Sequence, residues 1–210
     1  MKARYSGSLA ILALIAVVAV PSPAQAEDKV YYFGVSDQRT NVSFESSTDF
    51  EQILGSTNKL TGKIIADLEK GSGSVKLAVP VSSMRTGIDL RDEHMRSPGW
   101  LDAESYPEIS FVADNVKRLS GGRWEASGKF TMHGVSKDLR VTVDVKEIPA
   151  AIAEQAGLES GEWLKISTSF EVKLSDYGVK IPGMAAAKVN DTWGVRVQAF
   201  ASTGAPVGGK

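Results

Sequence analysis

The chain has 210 residues, 24 basic and 25 acidic side chains, two histidines and no cysteine. That balance offers no concentrated basic face for nucleic acid. The absence of cysteine excludes disulfides, thiol catalysis and Cys-ligated metals together.

Residues 1–26 read as an export leader rather than as part of the fold. Lys2 and Arg4 precede an apolar run from Leu9 to Val20, and Ala24-Gln25-Ala26 forms a small-x-small cleavage site. Twelve apolar residues fall short of the roughly 20 that a membrane-spanning helix needs. With no cysteine for lipid attachment and no twin arginine, the expectation is secretion by the general route and cleavage after Ala26 into a periplasm. The mature chain of 184 residues, 27–210, then carries three more acidic than basic side chains and reads as one domain.

Period-2 alternation dominates the mature chain and predicts strands with one face on a core. Val30–Gly34 and Val42–Ser46 form a first pair. Asp49–Leu54 reads as a turn or two of helix with Asp49 as N-cap. Leu60, Gly62, Ile64, Ala66 and Leu68 form the next alternating set, and Val75, Leu77 and Val79 the one after it. Ile109, Phe111 and Ala113 form the next set, then Trp124, Ala126, Gly128, Phe130 and Met132. Val141, Val143 and Val145 come after these, then the long set from Leu164 to Leu174. Trp193, Val195, Val197 and Ala199 close the series. Gly71-Ser72-Gly73, Gly121-Gly122 and His133-Gly134 supply tight turns. Arg91–Ser97 and Ala150–Gly157 are the other short helix candidates, and the glycine-rich tail Gly204–Lys210 reads as unstructured.

Consecutive hairpins of long strands predict an all-β fold, an antiparallel up-and-down barrel of about eight strands with short helices capping one end. A β-sandwich shares the same alternation. The compositionally mixed stretch Gly87–Phe111 interrupts the β-pattern. Its Leu90, Met95, Trp100 and Leu101 need something apolar to cover, so it reads as a plug for one end of the barrel. No P-loop, dinucleotide fingerprint, Gly-x-Ser-x-Gly or metal-ligand spacing is present. No cofactor, metal or catalytic residue is therefore expected. His94 with Asp92 or Asp102 is the sole acid–base candidate.

Arg91-Asp92-Glu93-His94-Met95-Arg96-Ser97, Trp100-Leu101-Asp102 and Tyr106-Pro107-Glu108-Ile109-Ser110-Phe111 resemble the central signature of the YceI-like family. Phe130-Thr131-Met132-His133-Gly134-Val135-Ser136-Lys137 and Ser175-Asp176-Tyr177-Gly178 also resemble its motifs, as do Asn41-Val42-Ser43-Phe44 and Leu60-Thr61-Gly62. The likeness spans essentially the whole mature chain. It departs where the family usually has a His-Ser pair and this chain has Arg39-Thr40, so no ligand role transfers to that position.

The resemblance implies a lipocalin-like barrel that binds an isoprenoid or other long-chain lipid, such as a quinone tail or polyprenyl phosphate, for transport or storage. The expected pocket wall is Phe44, Ile64, Leu77, Val79, Trp100, Leu101, Phe111, Phe130, Val143, Ile166, Phe170 and Val195. Asp92, His94 and Arg96 are expected at the mouth. A transient membrane contact is a further expectation, and the oligomeric state, a dimer included, is left open. Two other classes stay beside this one: an enzyme acting on a lipid head group, and a module for a membrane redox partner whose barrel is filled by its own side chains.

Overall fold

In the computed structural model, which describes residues 28–159 and 161–204, the alternating segments pair into one antiparallel sheet. The leader expected over 1–26 and the tail beyond Gly204 lie outside the described residues. The strands are β1 (Lys29–Phe33), β2 (Asn41–Ser47), β3 (Gln52–Thr57), β4 (Thr61–Asp67), β5 (Ser72–Pro80), β6 (Glu108–Arg118), β7 (Arg123–Met132), β8 (Val135–Ile148), β9 (Trp163–Lys173) and β10 (Thr192–Ser202). Two short helices, α1 (Asp89–Arg96) and α2 (Ala150–Gln155), interrupt them.

The ten strands make eight staves. β1 and β2 both lie against β10, with Tyr32 opposite Ser202 and Asn41 to Glu45 opposite Gln198 to Gly194. β3 and β4 return alongside them, Val42 facing Thr57 and Phe33 facing Gly62. Each of these pairs is a single stave with a bend. Gly34, at φ 82°, begins the bend in the first, and Arg39 N–H donates to Ser36 O within it. The sheet runs β1-β4-β5-β6-β7-β8-β9-β10 and closes by the β1–β10 pairing, which gives the expected eight-stranded barrel and leaves no open sandwich edge.

The segment expected to start a helix at Asp49 is instead a turn. Thr48 Oγ1 accepts from the N–H groups of Phe50 (3.2 Å) and Glu51 (3.1 Å), and β3 begins at Gln52. Alternation in β3 is masked in the sequence because its central inward position is Gly55. A Cβ there would meet the Phe44 ring at 2.1 Å, so the aromatic ring of the neighbouring strand fills the space that an apolar side chain would otherwise occupy. α1 and α2 form where expected, each one or two residues shorter or shifted.

The two ends of the barrel differ. At one, the lid end, residues 81–107 with α1 and residues 174–191 fold over the opening. At the other, the turn end, the tight β4–β5 and β6–β7 turns leave only the α2 connection as a long excursion. The outward positions of β8, β9 and β10 carry Arg140, Asp144, Lys146, Glu171, Lys173 and Arg196, all exposed. This apolar-in, polar-out pattern is the reverse of a barrel that spans lipid.

A bulge in β6 between Val112 and Asn115 swings the Val112 carbonyl over Gly128. A Cβ at Gly128 would sit 2.1 Å from that oxygen and 2.6 Å from Ala113 Cβ. Gly128→Ala is expected to lower stability by about 1–3 kcal/mol, as overpacked sites do, read as a lower urea midpoint with an unchanged slope.

Candidate functional site

Inside the barrel runs a cavity of about 200 Å³ lined by 35 residues, none of them charged. Among its lining residues Thr57, Ser110 and Thr168 are the ones that bear a hydroxyl. The Thr57 hydroxyl is already hydrogen-bonded to Ser83 Oγ (2.7 Å), and Thr168 Oγ1 donates to Thr142 O (2.8 Å). With two of the three hydroxyls taken up within the wall and no charge present, the space offers little to hold water.

Eleven of the twelve expected wall residues line this cavity; Trp100 does not. Trp100 packs instead, half-buried, against the cluster beneath the lid, while its neighbour Leu101, 3% exposed, reaches the cavity. The wall also takes Phe33, Trp124, Val141, Leu164 and Trp193. Four of these sit at inward positions of alternating sets already visible in the sequence; Phe33 is disclosed by its place on the bent first stave.

The three residues expected at a mouth do not converge on one. Asp92 is 2% exposed, and its Oδ1 accepts from Thr86 N (2.7 Å) and Thr86 Oγ1 (2.6 Å). Arg91 braces the same residue, donating from Nε to Thr86 Oγ1 (2.8 Å), while its Nη1 pairs with Glu51 (3.1 Å) on the β2–β3 turn. These bonds strap α1 to the barrel. His94 is exposed, and Arg96 turns its Nη1 towards the Met84 carbonyl (3.5 Å). Asp92 is thus a structural carboxylate and is not hydrogen-bonded to His94. Below it Met84, Met95, Leu101, Met132 and Leu174 form a buried plug.

His133, which the sequence placed in a tight turn without a further role for its side chain, joins the two covering segments. It holds a left-handed turn (φ 49°), donates from Nδ1 to Tyr177 O (3.1 Å), and meets the Tyr106 ring edge-on at 4.7 Å. The signal was the pair His133-Gly134, where consecutive positive φ angles make a two-residue hairpin. Arg39 lies at the first bend and donates from Nη2 to Ala156 O (2.7 Å), tying α2 to it.

At the turn end a polar clasp covers the seam. Glu162, just before β9, accepts from Lys29 Nζ (2.5 Å) and Tyr31 Oη (3.0 Å) on β1. The Lys29 hydrogen bond, ahead of that from Tyr31, holds the Glu162 carboxyl below the usual range, against a smaller opposing effect of burial. Burial first, then Glu162, pushes the Tyr31 phenol up.

Residues 33–201 match the YceI-like domain. Among curated proteins, a UPF0312 protein of Vibrio cholerae is 25% identical over 181 residues, covering 85% of this chain and 92% of that one. A UPF0312 protein of Pseudomonas savastanoi pv. phaseolicola is 28% identical over 178 residues, covering 84% and 88%. Among solved structures, BcnA of Burkholderia cenocepacia superposes with a TM-score of 0.68 at 20% identity, over 80% of this chain and 99% of that one. A polyisoprenoid binding domain from Saccharophagus degradans, implicated in plant cell wall breakdown, gives 0.60 at 18% identity, over 84% and 99%.

The straps at the two ends predict distinct responses to substitution. Asp92→Ala leaves the half-buried Thr86 N–H without its acceptor and is expected to cost about 1–2 kcal/mol, whereas His94→Ala should stay within about 0.5 kcal/mol; paired urea melts check both. A depressed carboxyl adds stability above its unfolded value, near 4.3, and that stability is lost as the pH falls through the lower folded value. Glu162→Gln should therefore lower Tm at pH 7 and flatten the fall in Tm below about pH 4, seen by thermal scans across that range.

Proposed function

The chain belongs to the YceI-like family, and on that ground we propose that it binds an isoprenoid or other long-chain lipid inside the barrel. The observation that carries this reading is the continuous cavity with no charged residue in its wall. Such a wall suits hydrocarbon, because burial alone contributes about 0.8 kcal/mol per CH₂ without a directional partner. The likeness to a fold whose Saccharophagus degradans example is described as polyisoprenoid-binding supports the same class of ligand.

The cavity of about 200 Å³ far exceeds the roughly 10–15 Å³ that a single water needs, so it has room for a stretch of hydrocarbon chain. Each CH₂ buried there contributes about 0.8 kcal/mol before the costs of ordering ligand and protein. The plug of methionines at the lid end suits a chain of variable outline, since the unbranched thioether side chain repacks readily. The leader expected over residues 1–26 supports a periplasmic site on this reading, with the protein carrying or storing the lipid and doing no chemistry on it. Asp92 is committed to Thr86 and His94 stands apart from it, which favours binding over catalysis.

Native mass spectrometry of protein purified from its own host, followed by organic extraction, should show a co-purifying long-chain mass. Repeated recovery of the bare chain from several hosts would sink the proposal. Val143→Trp, placed mid-wall, should abolish that adduct while the protein still melts cooperatively; retention of the adduct would put the ligand elsewhere.

A further inference from the structure

The lid end was the expected place for the polar end of a ligand, but there Asp92 and Arg96 bond within the protein and His94 points to solvent, while a second polar pair lies at the other end. A second space of about 260 Å³ opens at the turn end, lined by residues that include Arg118, Gly122 and Glu147. Leu68, Trp124 and Val145 line both this space and the main cavity, so the two are adjoining compartments that share a wall. One is lined by no charged residue and the other carries charge.

Register explains why charge arrives there. Arg118 is the direct cross-strand partner of Trp124, and directly opposed residues share a face of the sheet. Trp124 points inward and is 4% exposed, so Arg118 is the last inward-facing residue of β6. Its guanidinium lies over the Trp124 indole, 5.2 Å from the centroid. Glu147 extends the inward set of Val143 and Val145 by one more step on β8. Among the described residues, neither the Arg118 side chain nor that of Glu147 makes a hydrogen bond or ion pair. This contrasts with Glu162, whose oxygens are taken by Lys29 and Tyr31.

We propose that the polar terminus of the bound chain sits in this vestibule, between Arg118 and Glu147, and that the site takes an uncharged, hydroxyl-bearing terminus. The inference rests on the lipid-binding reading above and adds to it an orientation and a head-group class. Arg118 has only N–H groups to donate, and Glu147 has only oxygens to accept. A hydroxyl suits both, its oxygen accepting from an Arg118 N–H and its O–H donating to a Glu147 oxygen. A phosphate ester would gain Arg118 but place a second anion opposite Glu147, with no further cation lining the space. The hydrocarbon then runs from Trp124 towards the methionine plug.

Three fifteen-carbon probes test this by isothermal titration on the whole mature protein: farnesene, farnesol and farnesyl phosphate. Farnesol is expected to bind about ten-fold more tightly than farnesene, in line with hydrogen bonds to charged groups, and more tightly than the phosphate. Arg118→Gln and Glu147→Gln should each remove most of the farnesol advantage and leave farnesene unchanged. Arg118→Lys should keep part of it, and His94→Ala at the far end all of it. Thermal melts confirm that each variant is folded. Equal affinity for farnesol and farnesene, tighter binding of the phosphate, or loss on His94→Ala in place of Arg118→Gln would each overturn the site. If the wild-type protein binds none of the three probes, the lipid-binding reading itself falls, and the site with it.

Discussion

Closing the barrel is the constraint on which the rest of this structure depends. An eight-stave sheet must bring its first and last strands together, and here the last strand, β10, meets the first in two pieces. β2 takes the long stretch from Gly194 to Gln198, and β1 is joined to β10 only through Tyr32 and Ser202. The bend between them lets one chain segment serve both levels of a tall barrel. Side chains then cover the thinly paired part of the seam. Lys29 and Tyr31 reach Glu162, Thr203 Oγ1 accepts from the Glu162 N–H, and Arg39 holds the end of α2. Without closure, two rows of backbone donors and acceptors would stand open and the interior would be a groove rather than an enclosed space.

Closure also separates the chemistry of the molecule by position. The middle of the interior carries no charge, Thr168 being its polar member, and the outside is studded with charge. Among the described residues, inward-facing charged groups occur near the ends, where they do different work. At the lid end Asp92, Arg91, Thr86 and Glu51 are engaged with one another and hold α1 in place over a plug of Met84, Met95 and Leu101. At the turn end the clasp around Glu162 is likewise self-contained, but Arg118 and Glu147 face an open space. The barrel therefore has one end covered by the strapped α1 and its plug, and another where Arg118 and Glu147 line a space.

Most of the wall was legible in the sequence, because alternation reports the face of a strand directly. Leu164 to Leu174 and Trp193 to Ala199 needed nothing more than their period. β3 was hidden because its inward position is Gly55, and only the neighbouring Phe44 ring explains that glycine. Arg118 was illegible for a related reason: the β6 bulge shifts the period after Ala113, so Val116 and Arg118 turn inward where simple alternation would place their neighbours. Asp92, His94 and Arg96 form a recognisable motif, but a linear motif does not say which members face the barrel. The helix turns Asp92 onto Thr86 and leaves His94 in solvent. Trp100 and Leu101 make the same point, since adjacent residues in a loop point apart and only one reaches the cavity.

The uncharged wall has a mechanical consequence for the proposed ligand. Dispersion and hydrophobic contacts have no preferred direction along the barrel axis, so nothing in the middle of the cavity fixes the position of a chain along its length. Only the two ends act as stops, one a blunt apolar floor and the other a pair of fixed polar atoms. A container built this way works as a depth gauge. It distinguishes chains by whether the head can seat when the tail touches bottom, and a chain too long by one branch unit must either lift its head or fold back on itself.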